Sequence, residues 1–217
     1  MTIVSIKTEA DGELRHVELS DGSSFSFRIC YLSSSFIDES LYDPDVVAAT
    51  VGGLELDPHE EEGLRFASAC LGAETIALRL IARAEQTAFG LGRKLGKRGY
   101  DSACTNTVIS RLCDMGLLDD GRYARLWLES RVGRQASSPL RFLAALRTKG
   151  IDRDDAESAL REVLDDEAEA QLLDRFLRKK SLDLQALEDS NSARRSLRYL
   201  LKSEGFSSLA IEQLFDD

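Results

Sequence analysis

The chain has 217 residues, long enough for a real core in one or two domains. Charged residues make up 30% of it and hydrophobic residues 43%, with 3 prolines, which describes a globular chain rich in helix. Its net charge of −10 argues against nucleic acid as a partner of the chain taken as a whole. No apolar run approaches the roughly 20 residues that span a bilayer, which excludes a transmembrane helix.

The stretch MTIVSIKTEADGELRH has neither the basic flank nor the continuous apolar run of a signal peptide, so a cytoplasmic protein is expected, with no membrane partner. Within residues 1–37, TIVSIKT, RHVELS and SSFSFRICYL read as strands through their alternation and their β-branched and aromatic content. Asp11-Gly12 and Asp21-Gly22 fall between these runs as hairpin turn signals. A small antiparallel sheet of three strands is predicted. Residues 38–73 open on an acidic segment with Asp43-Pro44, Gly52-Gly53 and Asp57-Pro58, and read as a linker with short helical turns.

After Gly63 the period becomes helical and an internal repeat emerges. LGRKLGKRGYDSACTNTVISRL, FLAALRTKGIDRDDAESALREV and LRYLLKSEGFSSLAIEQLF align on Gly99, Gly150 and Gly205. Leu95, Leu146 and Leu201 stand four residues before each glycine, and Leu91, Phe142 and Leu197 eight before. Tyr100, Ile151 and Phe206 follow directly. Val108 with Ile109, Ala159 with Leu160, and Leu214 with Phe215 form the next stripe. An apolar stripe at i and i+4, a glycine that accepts the left-handed conformation at C′, and a second stripe packing back make one unit. Spacings of 51 and 55 residues leave room for one more helix in each. The expected fold is therefore mainly α, an elongated array of three tandem three-helix repeats (74–119, 120–168 and 169–217) behind the small β element. Such units are too small to bury their faces alone.

Helix starts agree with this division. Thr87 can cap the helix carrying Leu91 and Leu95, and Ser138-Pro139 offers a cap followed by a first-turn proline. Gly90, Gly92 and Gly96 make the Thr87 helix the softest element expected. RLCDMGLLDDGRYARLW (111–127) poses a question of chemistry, because Asp114, Asp119 and Asp120 lie close together. A calcium loop needs acids at alternate positions, and Leu117-Leu118 interrupt them. Asp119 as a helix cap, Asp120 at the positive end of that helix, and Tyr123 with Trp127 on one of its faces is the reading the pattern favours. Cys30, Cys70, Cys104 and Cys113 form no CxxC pair and read as small buried hydrophobes. Without a phosphate loop, GxSxG or HExxH, neither a catalytic residue, a metal nor a cofactor is expected.

Charge is divided along the chain. Residues 1–62 hold 3 basic and 14 acidic side chains, residues 79–149 hold 14 and 6, and residues 150–217 hold 10 and 17. A basic middle between acidic ends points to a partner of divided charge, such as a protein that itself carries nucleic acid.

GLLDDGRYARLWLESR, preceded by KRGY and followed by LRTKGI, resembles the RecX family of recombinase regulators, and RRSLRYLLKSEGF is similar to that family's closing repeat. The resemblance covers residues 74–215. The sequence departs from the family at Gly90 and Ala145, where an acidic residue is usual before Leu91 and Leu146. The resemblance implies a non-enzymatic, monomeric protein that binds RecA and its filament on single-stranded DNA. It implies inhibition of ATP hydrolysis and strand exchange in recombination, DNA repair and the SOS response. Candidate contact residues, some with weak direct DNA contact, are Arg93, Lys94, Lys97, Arg98, Arg122, Arg125, Arg131, Arg134, Arg141, Arg147 and Lys149. A DNA-binding regulator built on helix-turn-helix-like units, reading bases with Asn106 or Arg111, and a helical-repeat adaptor for an unrelated protein are the alternatives.

Overall fold

The computed structural model describes residues 1–10, 12–32, 55–182 and 191–216. Asp11 and the acidic segment containing Asp43-Pro44 and Gly52-Gly53 lie outside the described residues. The chain is mainly helical with one three-stranded antiparallel sheet, β1 (Ile3–Thr8), β2 (Leu14–Leu19) and β3 (Ser24–Arg28), in sequential order. The third strand is shorter than its sequence suggests. The ladder stops at Arg28, and Ile29–Tyr31 close into a single 3₁₀ turn that buries Tyr31. Asp21 shapes the second hairpin by accepting from the Ser23 amide (2.9 Å) and hydroxyl (2.7 Å), and these bonds hold its carboxyl below the usual range.

Nine α-helices follow among the described residues: α1 (Pro58–Ile81), α2 (Ala88–Gly96), α3 (Ser102–Asp114), α4 (Asp120–Val132), α5 (Pro139–Arg147), α6 (Arg153–Val163), α7 (Asp166–Lys180), α8 (Asn191–Ser203) and α9 (Ser208–Asp216). The stretch read as short helical turns up to residue 73 is instead the start of α1, a helix of 24 residues. Asp57 and Glu60 form a reciprocal capping box, each side chain accepting from the other's amide at 2.7 Å, and Pro58 occupies the first turn. The signal was Asp-Pro-His-Glu, hidden in an acidic run that looked like linker.

The chain divides into two compact units. Unit 1 comprises 1–84 and 91–118, and unit 2 comprises 85–90 and 119–217. In unit 1 one sheet face (Ile3, Val17, Leu19, Phe25, Phe27) is buried, and β3 packs on α1, whose Leu64, Ala67, Cys70, Ala73 and Ala77 are also buried. Glu74 of α1 is 2% exposed and is bridged by Arg28 (2.9 Å) and Arg111 (3.6 Å), which both also reach Glu13. A buried carboxylate persists only with such partners. Unit 2 has one apolar cluster running from Ala124 and Leu128 through Phe142, Leu146, Leu172 and Phe176 to Leu201 and Ile211.

The three repeat glycines share one geometry. Gly99, Gly150 and Gly205 have φ of +92°, +84° and +89°. The amides that follow them reach back to the carbonyls of Leu95, Leu146 and Leu201 at 3.4, 3.3 and 3.2 Å, while each glycine amide bonds the carbonyl three residues earlier. This is the paired closure of a Schellman end. Leu95, Leu146 and Leu201 are all fully buried.

Two sequence-based expectations fail here. Cys70 and Cys104 are buried, but Cys30 and Cys113 are exposed. A small side chain on a helix edge or 3₁₀ turn is placed by the register of larger neighbours. Ser138 precedes α5 but makes no side-chain cap. Its hydroxyl donates instead to Glu204 Oε2 at 2.5 Å, a partly buried long-range bond that displaced the local one.

Candidate partner-binding surface

Five helix starts follow one rule. Asp57, Asp101, Asp119, Asp152 and Asp165 each accept from the amide three residues on, at 2.7 to 2.9 Å. The aspartates of the 111–127 stretch are thereby accounted for. Asp119 Oδ1 accepts from Arg122 N–H at 2.8 Å and caps α4. Asp120 Oδ1 accepts from Ala88 N–H at 2.8 Å, so it secures the first turn of α2 as well as sitting at the start of α4. Burial pushes the Asp120 carboxyl up. The Ala88 amide opposes that shift, and Asp119 and Asp152 add to it. Asp155 is raised for the same reasons, burial first and then Asp152. Asp114 stands exposed at the end of α3.

Tyr123 and Trp127 are half-buried against the unit 2 cluster. Trp127 meets Phe142 edge-on, with centroids 6.2 Å apart and planes at 82°. The Arg131 guanidinium lies 4.2 Å from the Trp127 ring centre. Lys149 Nζ lies 5.6 Å from it and 6.0 Å from that of Tyr123. These two cations are thus gathered on one aromatic pair.

Three other candidate cations pair with carboxylates. Arg122 pairs with Glu85 at 3.0 Å, which raises its pKa, and Arg125 pairs with Glu162 at 3.3 Å. Arg141 reaches Glu204 at 4.0 Å. Arg134 and Arg147 are exposed, with no ion pair among the described residues. In unit 1 Arg93, Lys94, Lys97 and Arg98 are all exposed, along the last turn of α2 and just beyond it, where Arg98 donates to the Lys94 carbonyl at 2.8 Å. Arg111, a candidate base-reading side chain, is held by Glu13 and Glu74, while Asn106 is exposed.

Several contacts escape sequence reasoning. Thr87 Oγ1 accepts from Gly90 N–H at 3.0 Å and donates to the Lys149 carbonyl at 3.0 Å. Phe89 covers Gly150 and Leu140 covers Gly205. Glu169 Oε1 accepts from Ser207 N–H at 2.7 Å. The tripeptides Gly99-Tyr100-Asp101, Gly150-Ile151-Asp152 and Gly205-Phe206-Ser207 announced the paired end-and-start of successive helices, since Ser207 caps α9 through Ala210 N–H. The long-range partners had no local signal.

Residues 119–160 match the family model described as RecX, second three-helix domain. A curated relative named Regulatory protein RecX, from Treponema pallidum (strain Nichols), is 40% identical over 114 residues, 52% of this chain and 70% of that protein. A solved structure described as the crystal structure of regulatory protein RecX superposes with a TM-score of 0.62 at 20% identity, covering 100% of this chain and 99% of the other. RecX from Lactobacillus salivarius gives a TM-score of 0.53 at 22% identity, over 69% of this chain and 96% of that one. Both structures share the fold. Among the described residues no helix is long and apolar enough to cross a membrane.

Proposed function

The chain belongs to the RecX family of regulatory proteins, and from that premise we propose that it binds RecA and its filament on single-stranded DNA and lowers ATP hydrolysis and strand exchange. The protein acts without chemistry of its own, as a cytoplasmic modulator of recombination, repair and the SOS response. One observation carries the reading most directly. Four exposed cations, Arg93, Lys94, Lys97 and Arg98, gather at the end of α2 in a chain whose net charge is −10. Positive charge concentrated on a helix end steers a partner that presents carboxylates or phosphates.

In unit 2, Arg131 and Lys149 over Trp127 add a second cationic place, suited to weak contact with single-stranded nucleic acid. Base reading by α3 is disfavoured because Arg111 is spent on Glu13 and Glu74. The test adds the full chain to RecA filaments preformed on single-stranded DNA and follows ATP hydrolysis. Hydrolysis should fall as the chain approaches stoichiometric amounts. The Arg93→Glu, Lys94→Glu, Lys97→Glu, Arg98→Glu variant should lose most of that effect at low salt. An unchanged rate with the unmodified chain would end this reading.

A further inference from the structure

In unit 2 the glycine that closes a helix is covered twice, and both coverings have one plan. At Gly150 a Cβ would stand 2.2 Å from Phe89 Cβ, and the Lys149 carbonyl accepts from Thr87 Oγ1 at 3.0 Å. At Gly205 a Cβ would stand 2.8 Å from Leu140 Cγ, and the Glu204 carbonyl accepts from Leu140 N–H at 3.2 Å. Each cover is the first turn of a nine-residue helix, α2 or α5. Each opens on a hydroxyl residue, Thr87 or Ser138, with an apolar side chain two residues later. The carbonyl preceding the glycine takes a donor, and the glycine takes the apolar side chain.

Gly99 is the third member of this series, and no described residue covers its face. It has the same closure and a φ of +92°, yet a Cβ there meets nothing within 4 Å among the described residues. Arg98 is exposed, whereas Lys149 and Glu204 are half-buried under their covers. Among the described residues no donor reaches the Arg98 carbonyl.

We propose that the Arg98–Gly99 face of unit 1 binds the first turn of an α-helix from a partner protein. That helix carries a serine or threonine cap, a leucine or phenylalanine two residues on, and carboxylates in its first turn. The two filled joints specify a hydroxyl residue at the helix start, capping at Thr87 though not at Ser138, and the apolar residue two positions on. Charge specifies the rest, because Arg93, Lys94, Lys97 and Arg98 are all exposed within the six residues before Gly99, and helix starts favour Asp and Glu. The positive end of the incoming helix also meets the carbonyl end of α2.

A second copy of this chain is a poorer occupant. In a second copy, exposed Arg195 of α8 stands at the register of Phe89 and Leu140, two residues before buried Leu197, but one turn inside a helix that begins at Asn191. An arginine there would meet four like charges. The inference does not rest on RecA, since the feature recognised is a helix start, whichever protein carries it.

The test titrates the ¹⁵N-labelled full chain with a synthetic alanine-rich helical peptide that opens Ser-Asp-Leu-Glu. Amide shifts should centre on Arg98, Gly99 and Tyr100. Replacing the peptide leucine by alanine should weaken binding by about tenfold or more, the cost of one lost apolar anchor. Lys97→Glu with Arg98→Glu in the chain should weaken it similarly, and more at low salt than at high salt. No shifts at millimolar peptide, shifts indifferent to the leucine, or shifts centred on Gly150 or Gly205 would each overturn the proposal. So would concentration-dependent self-association of the chain alone that the Arg98→Glu substitution abolishes, because the occupant would then be a second copy. The peptide substitution remains decisive even if the charge-reversed chain folds poorly.

Discussion

Gly150→Ala should cost unit 2 far more than Gly99→Ala costs unit 1, although both glycines end a helix with the same backbone. At φ of +84° and +92°, a Cβ meets the left-handed penalty of roughly 1–2 kcal/mol at either position. At Gly150 the new Cβ would also lie 2.2 Å from Phe89 Cβ, a collision no rotamer change relieves because Cβ is fixed to the backbone. Overpacking of this kind adds about 1–3 kcal/mol, so Gly150→Ala should lose about 2–5 kcal/mol in all. Gly205→Ala should fall between, since the atom 2.8 Å away is Leu140 Cγ, on a side chain that can turn. Trp127, the single tryptophan, lies in unit 2 and reports urea unfolding there. Far-UV circular dichroism serves for Gly99→Ala. Adding Phe89→Gly to Gly150→Ala removes the Phe89 Cβ and should recover the collision part, a coupling of about 1–3 kcal/mol in a double-mutant cycle. Equal losses at the two glycines, or no coupling to Phe89, would refute the account of the joint.

Four further outcomes are expected. Asp120 has a raised carboxyl pKa in the folded state, so the folded chain holds its proton more tightly than the unfolded chain, and stability falls as pH rises through the window above the ordinary aspartate value. Asp120→Asn keeps an acceptor for Ala88 N–H without the charge. It should gain in Tm over the unmodified chain at pH 7, a gap that closes toward pH 4, whereas Asp120→Ala should lose about 1–3 kcal/mol from an unpaired amide. A gap that widens on acidification would show the sign to be wrong. Gly96→Ala, in a helix with nothing within 4 Å of the new Cβ among the described residues, should raise stability by about 0.5–1 kcal/mol, seen as a higher urea midpoint. Glu74→Ala leaves Arg28 and Arg111 without their buried carboxylate and should cost about 3 kcal/mol or more, read by hydrogen exchange in α1 and the sheet. Ser181 closes α7 at φ of +54°, so Ser181→Gly should stabilise the chain by about 1 kcal/mol, measured by thermal unfolding.

The features legible in the chain's own order of residues are those governed by a few consecutive positions. Gly99, Gly150 and Gly205, each with leucine four before and an apolar residue after, marked the helix ends, because only the left-handed backbone closes those carbonyls. Asp119 was legible as a cap for the same local reason. The Asp57–Glu60 box was equally local, but its acidic surroundings resembled a linker. No local pattern told that the Ser138 hydroxyl would leave its own helix for Glu204, that Thr87 would bond Lys149, or that Arg111 would be drawn to Glu74 from α3. Nor did any tell that Phe89 and Leu140 would cover two of the three glycines and that no described residue would cover Gly99. Those pairings join residues tens of positions apart. They depend on which helix ends packing brings within about 3 Å, and hydrogen bonds discriminate at that range, whereas the composition of a segment does not. Packing therefore chose which of three near-identical helix ends keeps an uncovered glycine among the described residues.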